Sequence, residues 1–194
     1  MDLLVNSITH LGDAALVIPA SALLVAYLVY RRFPGHAGLW LATLALCGFL
    51  TLALKGVFFA CGTSFTIRSP SGHTSLSLTF YGCAAVMASV DKTRATQLAM
   101  LAAGAGLALA VALTRIALHA HTTGEVLSGL LIGGVCVAWF GKRYFALRPI
   151  ILPWPALVAA LALLAIATHG VHWDFEWLAG KIAALLRSAT TLCA

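Results

Sequence analysis

Apolar positions along this chain neither alternate nor confine themselves to one helical face; they run on. Six stretches, at approximately 14–30, 37–55, 74–90, 97–115, 124–141 and 150–168, are apolar throughout or nearly so. A helix crossing the hydrocarbon core needs about 20 such residues, and in lipid a helix satisfies its own amides and carbonyls. The alternation of a barrel strand is absent. The pattern predicts an all-α, polytopic bundle of six transmembrane helices in a single membrane domain over 1–194. The segment from about 171 to 192 differs. There Trp173, Phe175, Trp177, Leu178, Ile182, Leu185 and Leu186 are interspersed with Asp174, Glu176, Lys181 and Arg187. This mixture predicts an interfacial helix on the outer leaflet rather than a seventh span.

Polar positions between the stretches set the orientation. No Lys or Arg precedes the first stretch, so it reads as a retained span and not as a cleaved signal peptide. Arg31 and Arg32 follow it, which puts the N-terminus outside and these arginines in the cytoplasm. Lys92 and Arg94 after the third stretch, and Lys142, Arg143 and Arg148 after the fifth, agree. Seven of the twelve basic residues are then inside. Lys55, Arg68 and Arg115 stand in outer loops against this bias and need another reason to be there.

Composition sharpens the picture. The chain of 194 residues is 61% hydrophobic and 9% charged, where a soluble domain carries roughly 25% charged residues. The net charge of +6 could attract nucleic acid, but the basic residues form no patch, and none is expected as a partner. Of five cysteines, Cys47, Cys83 and Cys136 lie in apolar runs as small hydrophobes. Cys61 and Cys193 look exposed; free thiols are the expectation for them, with a disulfide between the two as the less favoured alternative. No zinc-type spacing of His and Cys occurs, so no metal is expected. Gly129 and Gly133 in the fifth stretch predict close helix packing within the bundle in preference to a dimer interface. The oligomeric state is left open.

Two outer loops hold nearly all the unusual residues. One runs from Lys55 through Arg68 to Pro70-Ser71-Gly72-His73, which opens the third span. The other runs from Thr114-Arg115 through His119 and His121 to Glu125, which opens the fifth. The first amides of a helix lack internal acceptors and attract anions. Gly72 lets an anion approach the backbone, and Ser71 can cap the helix or donate its hydroxyl to that anion. An ordinary Pro-Ser helix start would look the same. His121 lies one turn before Glu125, so the carboxylate can fix the imidazole tautomer and raise the basicity of its other nitrogen. Such a histidine is a nucleophile. Arg115 can pair two phosphate oxygens. Ionisable residues at membrane depth are costly, which favours function over an incidental polar loop. His119 reads as a solvent-facing loop residue; His10, His36, His169 and His172 read as interfacial.

The Pro70–His73 tetrapeptide and the Thr-Arg-x5-His-x3-Glu run over Thr114–Glu125, about 40 residues apart, together resemble the second and third motifs of the type 2 phosphatidic acid phosphatase superfamily, which also contains vanadium haloperoxidases. The resemblance covers the six-span layout and roughly residues 55–130. There are departures. The third motif usually begins Ser-Arg and ends in Asp, where this chain has Thr114 and Glu125. The first motif, Lys-x6-Arg-Pro, is matched at Lys55, but Gly62 stands at the arginine position, and Arg68 is the nearest replacement.

The resemblance implies a membrane lipid phosphatase without a metal or other cofactor. His121 attacks phosphorus to form a phosphohistidine, Glu125 holds its Nδ1–H, and His73 protonates the leaving oxygen. Lys55, Arg68, Ser71, Gly72 and Arg115 clamp the phosphate. The substrate class is a lipid phosphomonoester or pyrophosphate in the bilayer: phosphatidic acid, phosphatidylglycerol phosphate, undecaprenyl pyrophosphate or lipid A phosphate. A compact site at the outer face suits a bacterial inner-membrane enzyme. A lipid phosphotransferase would use the same residues. A catalytically inactive transporter or scaffold is a further alternative. An intramembrane serine protease built on Ser71 would need that serine deeper in the membrane.

Overall fold

A computed structural model describes residues 2–61, 69–173 and 175–189. Among them the fold is all-helical, with eight helices: α1 (Asp2–His10), α2 (Ala14–Tyr30), α3 (Pro34–Cys61), α4 (Gly72–Ala88), α5 (Arg94–Ala117), α6 (Thr123–Ala146), α7 (Trp154–Ala167) and α8 (Glu176–Ala189). Their starts follow local chemistry. Asp13, Ser71, Thr93 and Thr122 cap α2, α4, α5 and α6 by accepting first-turn amides. Pro34 opens α3, where its missing N–H costs nothing.

Each of the six apolar stretches becomes a helix, but the expected six spans are not all of spanning length. α3, α5 and α6 are long and apolar enough to cross a membrane, and α1 with α2 makes a fourth if the pair, bent by 42°, counts as one span. α4 has 17 residues, from the Ser71 cap to Ala88, and α7 has 14, starting directly after Pro153. The most apolar stretches of α3 and α5 are only 22% buried. Leu107, Leu109, Leu113, Leu131, Leu163 and Ile166 point outward, a surface that water would not tolerate but lipid does.

α4 is the central helix. It packs against α2, α3, α5 and α6, and buries Thr74, Ser75, Ser77 and Thr79. Their hydroxyls bond along the helix or across to α3, where Thr51 Oγ1 meets Ser75 Oγ at 2.9 Å. At the end carrying the basic loops, Trp40 packs edge-on against Phe80 and Phe140, and Tyr144 stacks on Phe140. His36 is buried there beside Tyr144, with Nε2 3.2 Å from Arg148 O; it is a core residue, contrary to the interfacial expectation.

Gly129 and Gly133 serve α4–α6 packing, as expected. A Cβ on Gly129 would fall 2.7 Å from Ser71 O, and one on Gly133 2.9 Å from Ser75 O. The tail helix is amphipathic but shorter than expected, and it docks on α3: Ala179 and Ala183 are fully buried, and Ile182 sits against Gly56. Cys61 is disulfide-bonded, against the expectation of a free thiol. Cys47, Cys83 and Cys136 are free and buried.

Gly133→Val should separate α4 from α6 and destabilise the bundle by about 1–3 kcal/mol. Gly134→Ala, with open space at the new Cβ, should be neutral or slightly stabilising. Thermal unfolding in detergent checks both; equal melting temperatures would refute the packing account.

Candidate active site

The nucleophile candidate is positioned by a helix end and a helix start. After α5 the chain turns through His119, an exposed residue with φ 53°, and the amides of Ala120 and His121 both fold back onto Arg115 O. Thr122 then caps α6. Its side chain accepts from the Glu125 amide, and the Glu125 carboxylate reaches back to the Thr122 amide at 2.9 Å, completing a capping box. The same oxygen, Oε2, lies 3.1 Å from His121 Nδ1. An ionised carboxylate only accepts, so His121 carries its proton on Nδ1 and Nε2 is unprotonated. Oε1 accepts from the Ser69 amide at 3.0 Å, and Glu125 O from the Ser71 amide at 2.9 Å. Glu125 therefore ties the second motif to the third.

His73, on the first turn of α4, faces a carboxylate that sequence reasoning missed. Its Nε2 is 3.4 Å from Asp13 Oδ2. Asp13 is 1% exposed; Oδ1 accepts from the Ala15 and Trp173 amides, and His172 Nδ1 lies 2.8 Å from Oδ2. The corner comes close because Gly12 lacks a side chain: a Cβ there would lie 3.1 Å from His73 O and 2.5 Å from Val111. Asp13 had a legible signal, since it caps an apolar run at membrane depth. α1 and its His10, buried beside Asp13, were not anticipated either.

His73, His121, Lys55, Arg115 and Gly72 all line one cavity of about 700 Å³. They come from α3, α4, α5 and the α5–α6 connection, so one end of the bundle holds them all. Gly72 has open space where a Cβ would be. Arg115 donates to Thr9 Oγ1 at 3.1 Å, while its buried Nε has no hydrogen-bond partner among the described residues. Lys55 is buried and ion-paired with Glu176 of α8, a partner not anticipated. Ser71 departs from expectation as a phosphate ligand. It is fully buried, its Oγ accepts from the Thr74 hydroxyl and amide, and its own amide is taken by Glu125. It does not line the cavity. Arg68 lies outside the described residues.

Burial pushes the His121 imidazole below its ordinary 6.5; Glu125 opposes this, and Lys55 and Arg115 add to it. The ring is thus held neutral, the state a nucleophile needs.

With this geometry in view, comparison with known proteins is direct. The description "PAP2 superfamily" matches residues 35–148, which include Lys55, His73, Arg115, His121 and Glu125. The chain belongs to the PAP2 superfamily, whose members are generally phosphatases. A Klebsiella pneumoniae protein described as "Uncharacterized 22.5 kDa protein in cps region" is 27% identical over 184 residues, covering 91% of this chain and 88% of that protein. No solved structure matches the chain.

Glu176 competes with any anion for Lys55. Glu176→Gln should therefore lower the Kd for inorganic phosphate or vanadate severalfold at low salt, read by calorimetric titration. Unchanged or weaker binding would show that Lys55 does not contact the anion.

Proposed function

We propose that the protein is a membrane lipid phosphatase that works through a phosphohistidine on His121. The observation that carries this reading is His121, oriented by Glu125, on the wall of the same cavity as His73, Lys55 and Arg115. His121 Nε2 attacks phosphorus in line, and an N–P bond forms as the P–O bond to the lipid breaks. His73 gives its proton to the departing oxygen. Asp13 at Nε2 supplies a counter-charge, which leaves Nδ1 to deliver the proton. Water then attacks phosphorus and passes its proton to His73, and the N–P bond breaks to release phosphate. Lys55, Arg115 and the first-turn amides at Gly72 neutralise the equatorial oxygens, where positioning and charge do most of the catalysis. Arg68 is proposed as a third cation in place of the usual first-motif arginine.

The cavity's shape supports a lipid substrate. Its lining continues along α3 from Lys55 through Leu52 and Gly48 to Leu44, and along α2 at Val17 and Ile18. The eleven helical steps from Leu44 to Lys55 span about 16 Å. A charged head at Lys55 and an apolar floor below it match a head group with its acyl or prenyl chain. On this reading α2 to α7 form six spans with the site at the outer face, and α8 lies on the outer leaflet. The Cys61 disulfide, at the same end of α3 as Lys55, fits an oxidising compartment such as the bacterial periplasm.

Purified protein should release inorganic phosphate from a panel of lipid phosphates and pyrophosphates in mixed micelles, with vanadate inhibiting. His121→Ala should cost about 10³-fold or more; unchanged release would eliminate His121 as nucleophile. Label passing to an added acceptor lipid, without free phosphate, would identify a phosphotransferase.

Two finer outcomes are expected. Because the folded-state pKa of His121 is lowered, its neutral form persists below pH 6.5, so the acid limb of kcat/KM should fall below that value. Gly48→Leu fills the apolar floor. It should raise KM for long-chain phosphatidic acid several-fold while sparing a short-chain analogue; an equal effect on both would argue against a chain-binding floor.

A further inference from the structure

The corner beside the cavity holds a cluster that the proposed hydrolysis leaves partly unused. His10 ends α1, Asp13 caps α2, and His172 sits in the α7–α8 connection. One ligand atom from each lies within 4.8 Å of the others. His10 and Asp13 are buried, at 3% and 1% exposure, whereas His172 is open.

Hydrogen bonding fixes the protonation of His10. The Thr168 hydroxyl donates its proton to Leu164 O at 2.9 Å. Its oxygen is therefore an acceptor toward His10 Nε2, 3.0 Å away. His10 must carry its ring proton on Nε2, and Nδ1 is a bare lone pair. That Nδ1 is buried with no hydrogen-bond partner among the described residues. An unsatisfied buried acceptor is destabilising, and such groups call for an explanation. An imidazole with one nitrogen anchored by a hydrogen bond and the other bare is the state in which histidine binds metal.

We propose that His10, Asp13 and His172 form a binding site for a divalent transition cation, zinc by donor set, with His10 binding through Nδ1. Two imidazole nitrogens and one carboxylate oxygen are a donor set that zinc takes, and three protein ligands leave a fourth position for water. The cation displaces the proton that His172 Nδ1 shares with Asp13 Oδ2, and their 2.8 Å separation widens to the roughly 3.3 Å between tetrahedral ligands of zinc. It clamps the α1–α2 corner to the α7–α8 connection at the cavity wall. Because Asp13 also faces His73, occupancy sets the charge behind that histidine. The site does not depend on the reaction assigned to His121.

The test uses the full chain in detergent, stripped with chelator and then titrated with Zn²⁺ or Co²⁺. One zinc per chain is expected by elemental analysis, with a four-coordinate Co²⁺ absorption spectrum. His172→Ala, at an exposed side chain, should weaken zinc binding at least tenfold without changing the melting temperature of the metal-free protein. Thr168→Val, which removes the anchor of His10, should weaken it by about 10–100-fold. His121→Ala should bind zinc like the parent. The proposal is overturned if the stripped protein binds no zinc, if His172→Ala binds it as tightly as the parent, or if binding is lost with His121 instead.

Discussion

The buried carboxylate of Glu125 is the interaction on which the rest of the site depends. At 4% exposure it has left water, at a cost of several kcal/mol that only directed hydrogen bonds can offset. The Thr122 amide, the Ser69 amide and the His121 ring supply them. The demand works in both directions. The carboxylate fixes the tautomer of His121, starts α6 and holds the Ser69–Ser71 segment before α4, so one desolvated charge sets both the His121 ring and the meeting of two distant loops. The extra methylene over the family's usual aspartate is taken up by the reach back across the first turn of α6.

Asp13 repeats the device at the other imidazole with a difference. Both acids stand at helix N-termini, where unpaired amides favour negative charge. Glu125 makes a 3.1 Å bond to His121, while Asp13 stands 3.4 Å from His73 and is shared with His172. The two histidines thereby have unlike surroundings, which suits the acid and nucleophile roles proposed for them in one cavity.

What could be read from sequence follows from how local its cause is. Lipid requires helices wherever apolar runs are long, so all six apolar stretches became helices, and His121 with Glu125 is a one-turn relation that spacing alone reveals. Helix lengths were less legible: α3, α5 and α6 run on past their apolar stretches, whereas α7 starts only after Pro153. Partners brought together by packing were not legible at all. Asp13 meets His73 across 60 positions and Lys55 meets Glu176 across 121; no periodicity connects them. Ser71 shows the opposite limit. The residue type was compatible with both a cap and an anion ligand, and only its burial decides for the cap.

The electrostatic balance of the cavity has a consequence for binding. Lys55 already has Glu176, and part of the Arg115 guanidinium already has Thr9, so an arriving phosphate does not meet bare charge. On the proposed reading it exchanges partners, trading Glu176, about half exposed, for itself, and that carboxylate returns to water at little cost. The Nε of Arg115, buried without a hydrogen-bond partner among the described residues, has no such exchange to make. Affinity for the head group should then come mainly from Arg115 and the α4 amides. Lys55 contributes the difference between two anions, and the apolar floor along α3 supplies the discrimination between a lipid phosphate and a soluble one.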